Sequence, residues 1–494
     1  MRPQPQTLLS GVLERARASQ LEFSHLRRYT QNAIAILTSD VFHRATTFLI
    51  YALVSRHLGA YEFGQLSLAL TLFYTAQMVA GAGLRTVITR EVAKAQDEAG
   101  RYLIQGSIVV LLFSTLSWLI LWAFCALSGY QADTQAIILV LAIGLLPAAL
   151  STVCEGIFRA REQMGWIAVA NTPVNLLKLG LAFLLLQRGE GVYALVLLLV
   201  ASHSMVLLIE WGLILRAGTR LGLPIESAAC WLLLRTSLTF LGVDVVIAVW
   251  SSTQTLLLSV LRGEVDVGLY SAGSQLLVPV LLIFQSIASS VFPVLCRRFE
   301  ERVESLGAIA VRLLELLLAI AIPATVGLYL LADRVLLLLY GNPEMVMAAA
   351  ALRIQSWVII LNAGTTALGQ ILWASKREQR SLQIVTINLL LNVSLSFVLV
   401  YLYGLNGAAL AALITMIVNF AQHLQAVSNL VDALQVPKLL WKPMVAAAVM
   451  AGYLMLTPTQ SLFVTIPLAA LVYATVLVGL FLWQDGALVR KEAV

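Results

Sequence analysis

Runs of about 20 apolar residues, the length that carries a helix across a hydrocarbon layer, follow one another along almost the whole chain and are separated by short polar segments. They predict spans near Asn32 to Val54, Phe63 to Gly83, Leu103 to Leu127, Ala136 to Cys154, Trp166 to Gln187 and Val192 to Leu215. A second set is predicted near Leu232 to Val260, Val267 to Phe292, Leu313 to Leu331, Ala348 to Trp373, Leu382 to Leu402, Gly407 to Val427, Pro443 to Leu456 and Leu462 to Trp483. Lipid offers no partner to a backbone amide or carbonyl, so such runs become helices, and the expected fold is an all-α polytopic bundle of about 14 transmembrane helices. Ahead of the first run, Leu8, Leu9, Val12, Leu13 and Ala16 recur at helical spacing beside Arg15 and Arg17, which fits a short amphipathic helix on the membrane surface or a polar tail. No continuous apolar segment with a small-residue cleavage site stands in the first thirty residues, so no signal peptide is expected.

The polar segments between the runs set an orientation. With the N-terminus in the cytoplasm, roughly 24 of the 32 Lys and Arg residues fall on the inner side, among them Arg85, Arg90, Lys94, Arg101, Arg159, Arg161, Lys376, Arg377 and Arg380. About five fall outside: Arg56, Arg188, Arg262, Arg334 and Arg353. One missed span would reverse every later loop, so the bias also supports an even helix count with both termini cytoplasmic at the inner membrane.

The chain repeats itself. Gly59-Ala-Tyr-Glu-Phe-Gly64 follows the first span and Gly263-Glu-Val-Asp-Val-Gly268 the seventh, at a constant offset (263 − 59 = 268 − 64 = 204) that also carries Asp40 onto Asp244. Asn171 and Asn175 in the fifth span are echoed by Asn388 and Asn392 in the eleventh, each pair at i, i+4 on one helix face. The expected organisation is a segment 1–31, an N-lobe of six helices at 32–228, a C-lobe of six at 229–430, and a terminal helix pair with a short tail at 431–494. Lobes that start on the same side relate by an axis along the membrane normal and can enclose a cavity between them.

Composition agrees: 60% of residues are hydrophobic, only 12% are charged, and mean hydropathy is +0.88, where soluble domains carry about 25% charged residues. The net charge of +6 is spread over connections and forms no basic stripe, so no nucleic-acid partner is expected. Cys125, Cys154, Cys230 and Cys296 stand far apart with no metal-ligand spacing, so no metal site, disulfide framework or cofactor is expected.

Several segments resemble one family in order and spacing from about Asn32 to about Val427. They are Leu58-Gly-Ala-Tyr-Glu-Phe-Gly64, Gly83-Leu-Arg-Thr-Val-Ile-Thr-Arg-Glu-Val-Ala93, Val267-Gly-Leu-Tyr-Ser-Ala272, Ile322-Pro-Ala-Thr-Val-Gly327, Leu339-Tyr-Gly341 and Tyr403-Gly-Leu-Asn-Gly-Ala-Ala-Leu410. The series is similar to the polysaccharide biosynthesis (Wzx-type) flippases of the multidrug/oligosaccharidyl-lipid/polysaccharide transporter superfamily. The resemblance implies a MATE-like pair of lobes, and movement of a polyprenyl-diphosphate-linked oligosaccharide from the cytoplasmic to the outer leaflet by alternating access. It further implies membrane lipids as partners and H+ or Na+ as a coupling ion. One departure stands out: where family members often carry a charge late in the seventh span, this chain reads Ser251-Ser-Thr-Gln-Thr255.

A charged side chain at bilayer depth costs on the order of 3 kcal/mol, so those inside spans are the candidate site residues. Lys178 lies about 12 residues, or roughly 18 Å, along the fifth span from Trp166, and shares a helix face with Asn171 and Asn175, a polar stripe suited to a substrate diphosphate. Arg44 is a second candidate cation, in a span with Asp40 and His43; Asp40 and Arg44, at i, i+4, can equally neutralise each other. Asp244, repeat partner of Asp40, is suited to ion or proton coupling or to pairing with a base of the other lobe. For the stripe of Asn171, Asn175 and Lys178, helix packing through asparagine bonds is the alternative, and Asn388 and Asn392 are the second polar pair offered to substrate. Glu210 is expected at the interface. Arg44 and Lys178 favour an anionic cargo, whereas a cavity centred on Asp40 and Asp244 would favour the alternative, a drug or cation antiporter of the same superfamily. A membrane glycosyltransferase or polymerase would need a large outer domain, and no outer connection here exceeds about 20 residues.

Overall fold

The computed structural model describes the backbone of residues 5–81, 83–219, 227–301, 303–428, 436–457 and 460–492, and side chains within 39, 42–81, 83–219, 230–238, 241–242, 244–298, 307–428, 439–457 and 460–483. Among them every regular element is helical: α1 Pro5–Ala80, α2 Leu84–Lys94, α3 Ala99–Ser128, α4 Ala132–Ile143, α5 Leu145–Ala160, α6 Gly165–Gln187 and α7 Val192–Arg216. There follow α8 Ser227–Leu261, α9 Glu264–Glu301, α10 Val303–Tyr340, α11 Ala349–Ala374, α12 Glu378–Ser428, α13 Val436–Leu456 and α14 Leu462–Glu492, with short 3₁₀ turns at Gln96–Glu98 and Pro343–Ala348.

Twelve helical stretches among the described residues are long and apolar enough to cross a membrane. Two of them, Phe42–Lys94 with 53 residues and Glu378–Ser428 with 51, are each more than twice the roughly 20 residues one crossing needs. Within these stretches α1 is broken at Gly59 (φ 81°, ψ −175°) and α12 at Gly404 (φ 56°, ψ −130°), both in conformations closed to helices. Counted as pairs they bring the total to about fourteen crossings, as the apolar runs predict. In α12 the chain folds back on itself at Gly404. A Cβ on Gly407 would lie 1.8 Å from Leu399 O, and Asn388 Nδ2 donates across the hairpin to Gln422 Oε1 (2.6 Å) and Asn419 Oδ1 (3.4 Å).

The fourth predicted span is two helices rather than one. Pro147 has no amide to donate and its ring crowds the carbonyl four residues back, so the helix stops at Ile143 and restarts beyond Gly144. The Gly83–Ala93 motif also forms its own short helix, α2, which begins after Gly83 in a left-handed conformation (φ 66°).

Two compact units emerge from the packing: Met1–Leu53 with Ala69–Ala248, and Val54–Leu68 with Val249–Val494. The expected boundary at 228/229 follows the sequence repeat, and the packing differs from it at 54–68 and 229–248. In the first unit, α5 is central. Its Val153, Cys154, Ile157 and Phe158 form a core with Leu84, Val87 and Ile88 of α2, Leu103 and Val110 of α3, and Ile214 of α7. Gly156 permits that approach, because its Cβ position lies 3.2 Å from Arg85 O and from Ile88 Cβ. In the second unit, α9 to α12 pack together, and α13 and α14 lie against α10, where Tyr473 Oη donates to Ala319 O at 2.8 Å.

Candidate functional site

The first unit gathers polar groups from three crossings around Lys178. Asn171, Asn175 and Lys178 fall on one face of α6, as their spacing predicts. Lys178 is 7% exposed and its Nζ donates to Asn175 Oδ1 at 2.8 Å. His43 of α1 brings Nδ1 within 3.4 Å of the same oxygen. His203 of α7, its ring stacked on Phe73 at 5.0 Å between centroids, is within electrostatic reach of both Lys178 and His43. Asn171 turns away, donating to Ile167 O of its own helix at 3.1 Å. No carboxylate among the described residues lies within ion-pair distance of Lys178. The described side chains of the group are thus one cation, two imidazoles and an amide, groups able to meet negative charge.

A second polar group in the same unit centres on Arg85 at the start of α2. Arg85 Nε pairs with Glu155 Oε2 of α5 at 3.2 Å and acts electrostatically on Glu210 of α7 and Asp244 of α8. Asp244 is half-buried. Glu210 is fully buried: one oxygen accepts from the Ser151 hydroxyl and the other has no partner among the described residues. Arg44 is exposed. The Asp40 side chain, and with it the expected Asp40–Arg44 pair, lies outside the described residues.

Asn388 and Asn392 belong to the second unit and are 0% and 1% exposed. Asn392 Oδ1 accepts from Gln254 Nε2 at 2.7 Å, with Ser396 and Thr415 hydroxyls at 3.4 and 3.5 Å. Their observed partners thus lie on α12 itself and, through Gln254, on α8. Gln254 stands in the segment where the resemblance leads one to look for a charge, and here an amide meets an amide.

The convergence of His43 and His203 on Lys178 escaped the sequence, because the contact between His43 and Asn175 spans 132 residues. The available signal was their position inside apolar runs, where an imidazole needs a partner.

Comparison with known proteins follows the same lines. A family model described as polysaccharide biosynthesis protein matches residues 29–299, and one described as lipid II flippase MurJ matches residues 267–474. The probable low-salt glycan biosynthesis flippase Agl15 of Haloferax volcanii is 25% identical over 462 residues, covering 90% of this chain and 95% of that protein. Among solved structures, lipid II flippase MurJ in an inward closed conformation superposes with a TM-score of 0.75 at 16% identity, over 92% of this chain and 99% of the other. An inward-facing multidrug resistance MATE transporter of the MOP superfamily gives 0.63 at 15% identity, over 78% and 95%. At these identities the structural likeness speaks for the fold.

Proposed function

The chain belongs to the polysaccharide biosynthesis protein family, and from that membership we propose that it is a flippase. Its cargo is a polyprenyl-diphosphate-linked oligosaccharide, moved from the cytoplasmic to the outer leaflet of the inner membrane by alternating access. The relative named as a glycan biosynthesis flippase, aligned over 90% of the chain, supports a transporter rather than a catalytic enzyme.

The observation that carries the reading is Lys178. A buried cation is expensive in a membrane, and Lys178, which has no carboxylate within ion-pair distance among the described residues, is retained here beside two imidazoles and an amide oxygen. A diphosphate crossing a dry region loses its hydration, and a fixed positive charge at that depth offsets the loss far better than water-screened charge would. A drug or cation antiporter would want the opposite sign at this place. In this reading the diphosphate meets Lys178, Asn175, His43 and His203, while the polyprenyl tail stays among membrane lipids. Asp244, in the Arg85 network, is the group assigned to H+ or Na+ coupling.

The test is outer-leaflet lipid-linked oligosaccharide measured per molecule of inserted protein. Lys178→Ala is expected to lower it by about tenfold or more. Lys178→Arg should keep part of it, since charge is preserved and geometry changed. Normal flipping per molecule in the alanine variant would end the headgroup assignment.

A further inference from the structure

Lys442, Ala446, Ala447 and Met450 are buried on one face of α13, while Trp441, Met444 and Val445 are exposed on the other. Their spacing of three and four residues makes a single stripe, and α10 and α14 are the helices packed against α13. A lysine near the end of a membrane helix ordinarily runs its stem outward and leaves its ammonium in water. Lys442 instead stands in the buried stripe and is only 8% exposed. Its Nζ lies 3.7 Å from the centre of the Phe481 ring on α14 and 6.0 Å from that of Trp441. Among the described residues no carboxylate lies within ion-pair distance of it, and no hydrogen-bond acceptor meets it.

Two ring faces do not balance that charge. A cation over an aromatic face is stabilised by about 0.5–2 kcal/mol, whereas taking an ammonium out of water costs several kcal/mol even after the surroundings relax. A bound anion would offset the difference, and the position of Lys442 says which kind. Trp441 stands near the start of the apolar span Leu439–Leu456, and Trp483 closes the span Leu462–Trp483. α13 and α14 are consecutive and pack together, so both indoles, 37% and 70% exposed, mark one rim of the membrane, the depth at which tryptophan meets lipid headgroups. Lys442 follows the first of them and faces Phe481, which shortly precedes the second. Next to this rim the apolar Met444 and Leu482 are 57% and 67% exposed, a surface for hydrocarbon.

We propose that Lys442, with Trp441 and the Phe481 ring, binds the phosphate of an anionic phospholipid at the rim of α13 and α14. In the orientation set by the bias of Lys and Arg, that rim belongs to the inner leaflet. The ammonium donates a charge-assisted hydrogen bond to a phosphate oxygen, the Trp441 indole N–H is a second donor at the same depth, and the acyl chains lie on the apolar surface beside it. Basic pockets between spanning helices select anionic headgroups in this way, because a zwitterionic headgroup brings a cation of its own against the lysine. Free phosphate would forgo the burial of hydrocarbon that the exposed flank offers. All these residues belong to the second unit, and the site stands apart from the question of which cargo is moved.

The test uses the purified full chain in detergent, freed of lipid, with phosphatidylglycerol and phosphatidylcholine of identical acyl chains as probes. Native mass spectrometry reads binding, and the apparent unfolding temperature reads its effect on the fold. Phosphatidylglycerol is expected to bind about fivefold more tightly or better and to raise the unfolding temperature further. Lys442→Met should bring the two lipids level, and Lys442→Arg should keep the preference, since the charge remains. Methionine also removes a buried charge, so without lipid the Lys442→Met protein should be at least as stable as the native one. A lipid-free Lys442→Met protein that is clearly less stable would show the lysine to be satisfied within the chain and overturn the site, as would equal binding of the two lipids by the native protein. Glycerol phosphate, the headgroup without its chains, should leave the unfolding temperature unchanged; a shift equal to that of phosphatidylglycerol would overturn the lipid in favour of a free phosphate. Tighter binding of polyprenyl diphosphate than of phosphatidylglycerol through Lys442 would give the site to the cargo and overturn the proposal as well.

Discussion

Replacing Gly64 by alanine adds one methyl group where none fits. The new Cβ would stand 1.8 Å from Glu264 O and 2.6 Å from Glu264 C, and ordinary contact requires a retreat of roughly 1.5 Å. Both atoms are backbone of α9, so no side-chain rotation relieves the overlap, and the two helices must separate. Overfilling a close-packed contact costs about 1–3 kcal/mol or more, and the lost dispersion at a gap of this size adds to it. Against this, alanine in place of glycine in a helix returns up to about 1 kcal/mol. The expected net loss is about 2 kcal/mol or more, read as a fall of several degrees in the apparent unfolding temperature of the detergent-solubilised protein. Gly268→Ala, whose Cβ would meet Ala60 O at 2.4 Å, should fall comparably. The double variant should lose less than both together, because one separation accommodates both methyls, with a coupling on the order of 1 kcal/mol. Gly452→Ala on α13, whose Cβ position has nothing within 4 Å, is the control and should be neutral or slightly stabilising. A Gly64→Ala protein as stable as the Gly452→Ala protein, or strict additivity in the cycle, would refute the close crossing.

Two further outcomes follow from the charge distribution. Asp244→Asn removes a half-buried acid from the reach of Arg85 and should lower flipping more than it lowers the amount of protein in the membrane; flipping that stays unchanged across pH would remove Asp244 from the coupling role. A cysteine placed between residues 128 and 134 should react with an impermeant thiol reagent from outside, and one between 376 and 380 should not, as the bias of Lys and Arg to one side demands. Reversed labelling would overturn the orientation.

What the sequence reveals depends on how local the physics is. The crossings are legible because lipid imposes a length of apolar residues on every one of them. The helix break at Gly144 is harder to see, since Pro147 sits within a run that is apolar throughout and hydropathy carries no mark of a missing amide. The glycine repeat is visible as spacing, but its physical reason is not. Gly64 meets the carbonyl of Glu264 and Gly268 that of Ala60, positions separated by the repeat's own offset (264 − 60 = 204). Two copies of one segment thus serve as each other's partner, and spacing alone does not show that repeats touch. Similarly, Lys178 and Asn175 are readable from one helix face, whereas His43 and His203 join them only through tertiary packing of α1 and α7 against α6. The contact of Glu210 with Ser151 is hidden for the same reason, since it depends on how α5 packs against α7.

The lysine in the middle of α6 also bears on how the protein is made. A lysine at the centre of a nascent helix opposes insertion by about 3 kcal/mol, while each leucine favours it by only about half a kcal/mol. Asn171 and Asn175 increase the opposition, so the seven leucines of α6, at 176, 177, 179, 181, 184, 185 and 186, are what keep the segment on the favourable side. Leu176, Leu177, Leu181 and Leu184 are exposed on the structure. During synthesis, before α7 supplies His203 from the neighbouring helix, these outward leucines and the inward lysine settle together whether the segment enters the bilayer or slips past it. A polar residue at any of the four would therefore threaten the protein at the ribosome, although all four side chains are exposed on the finished structure, and loss of the lysine itself would ease insertion.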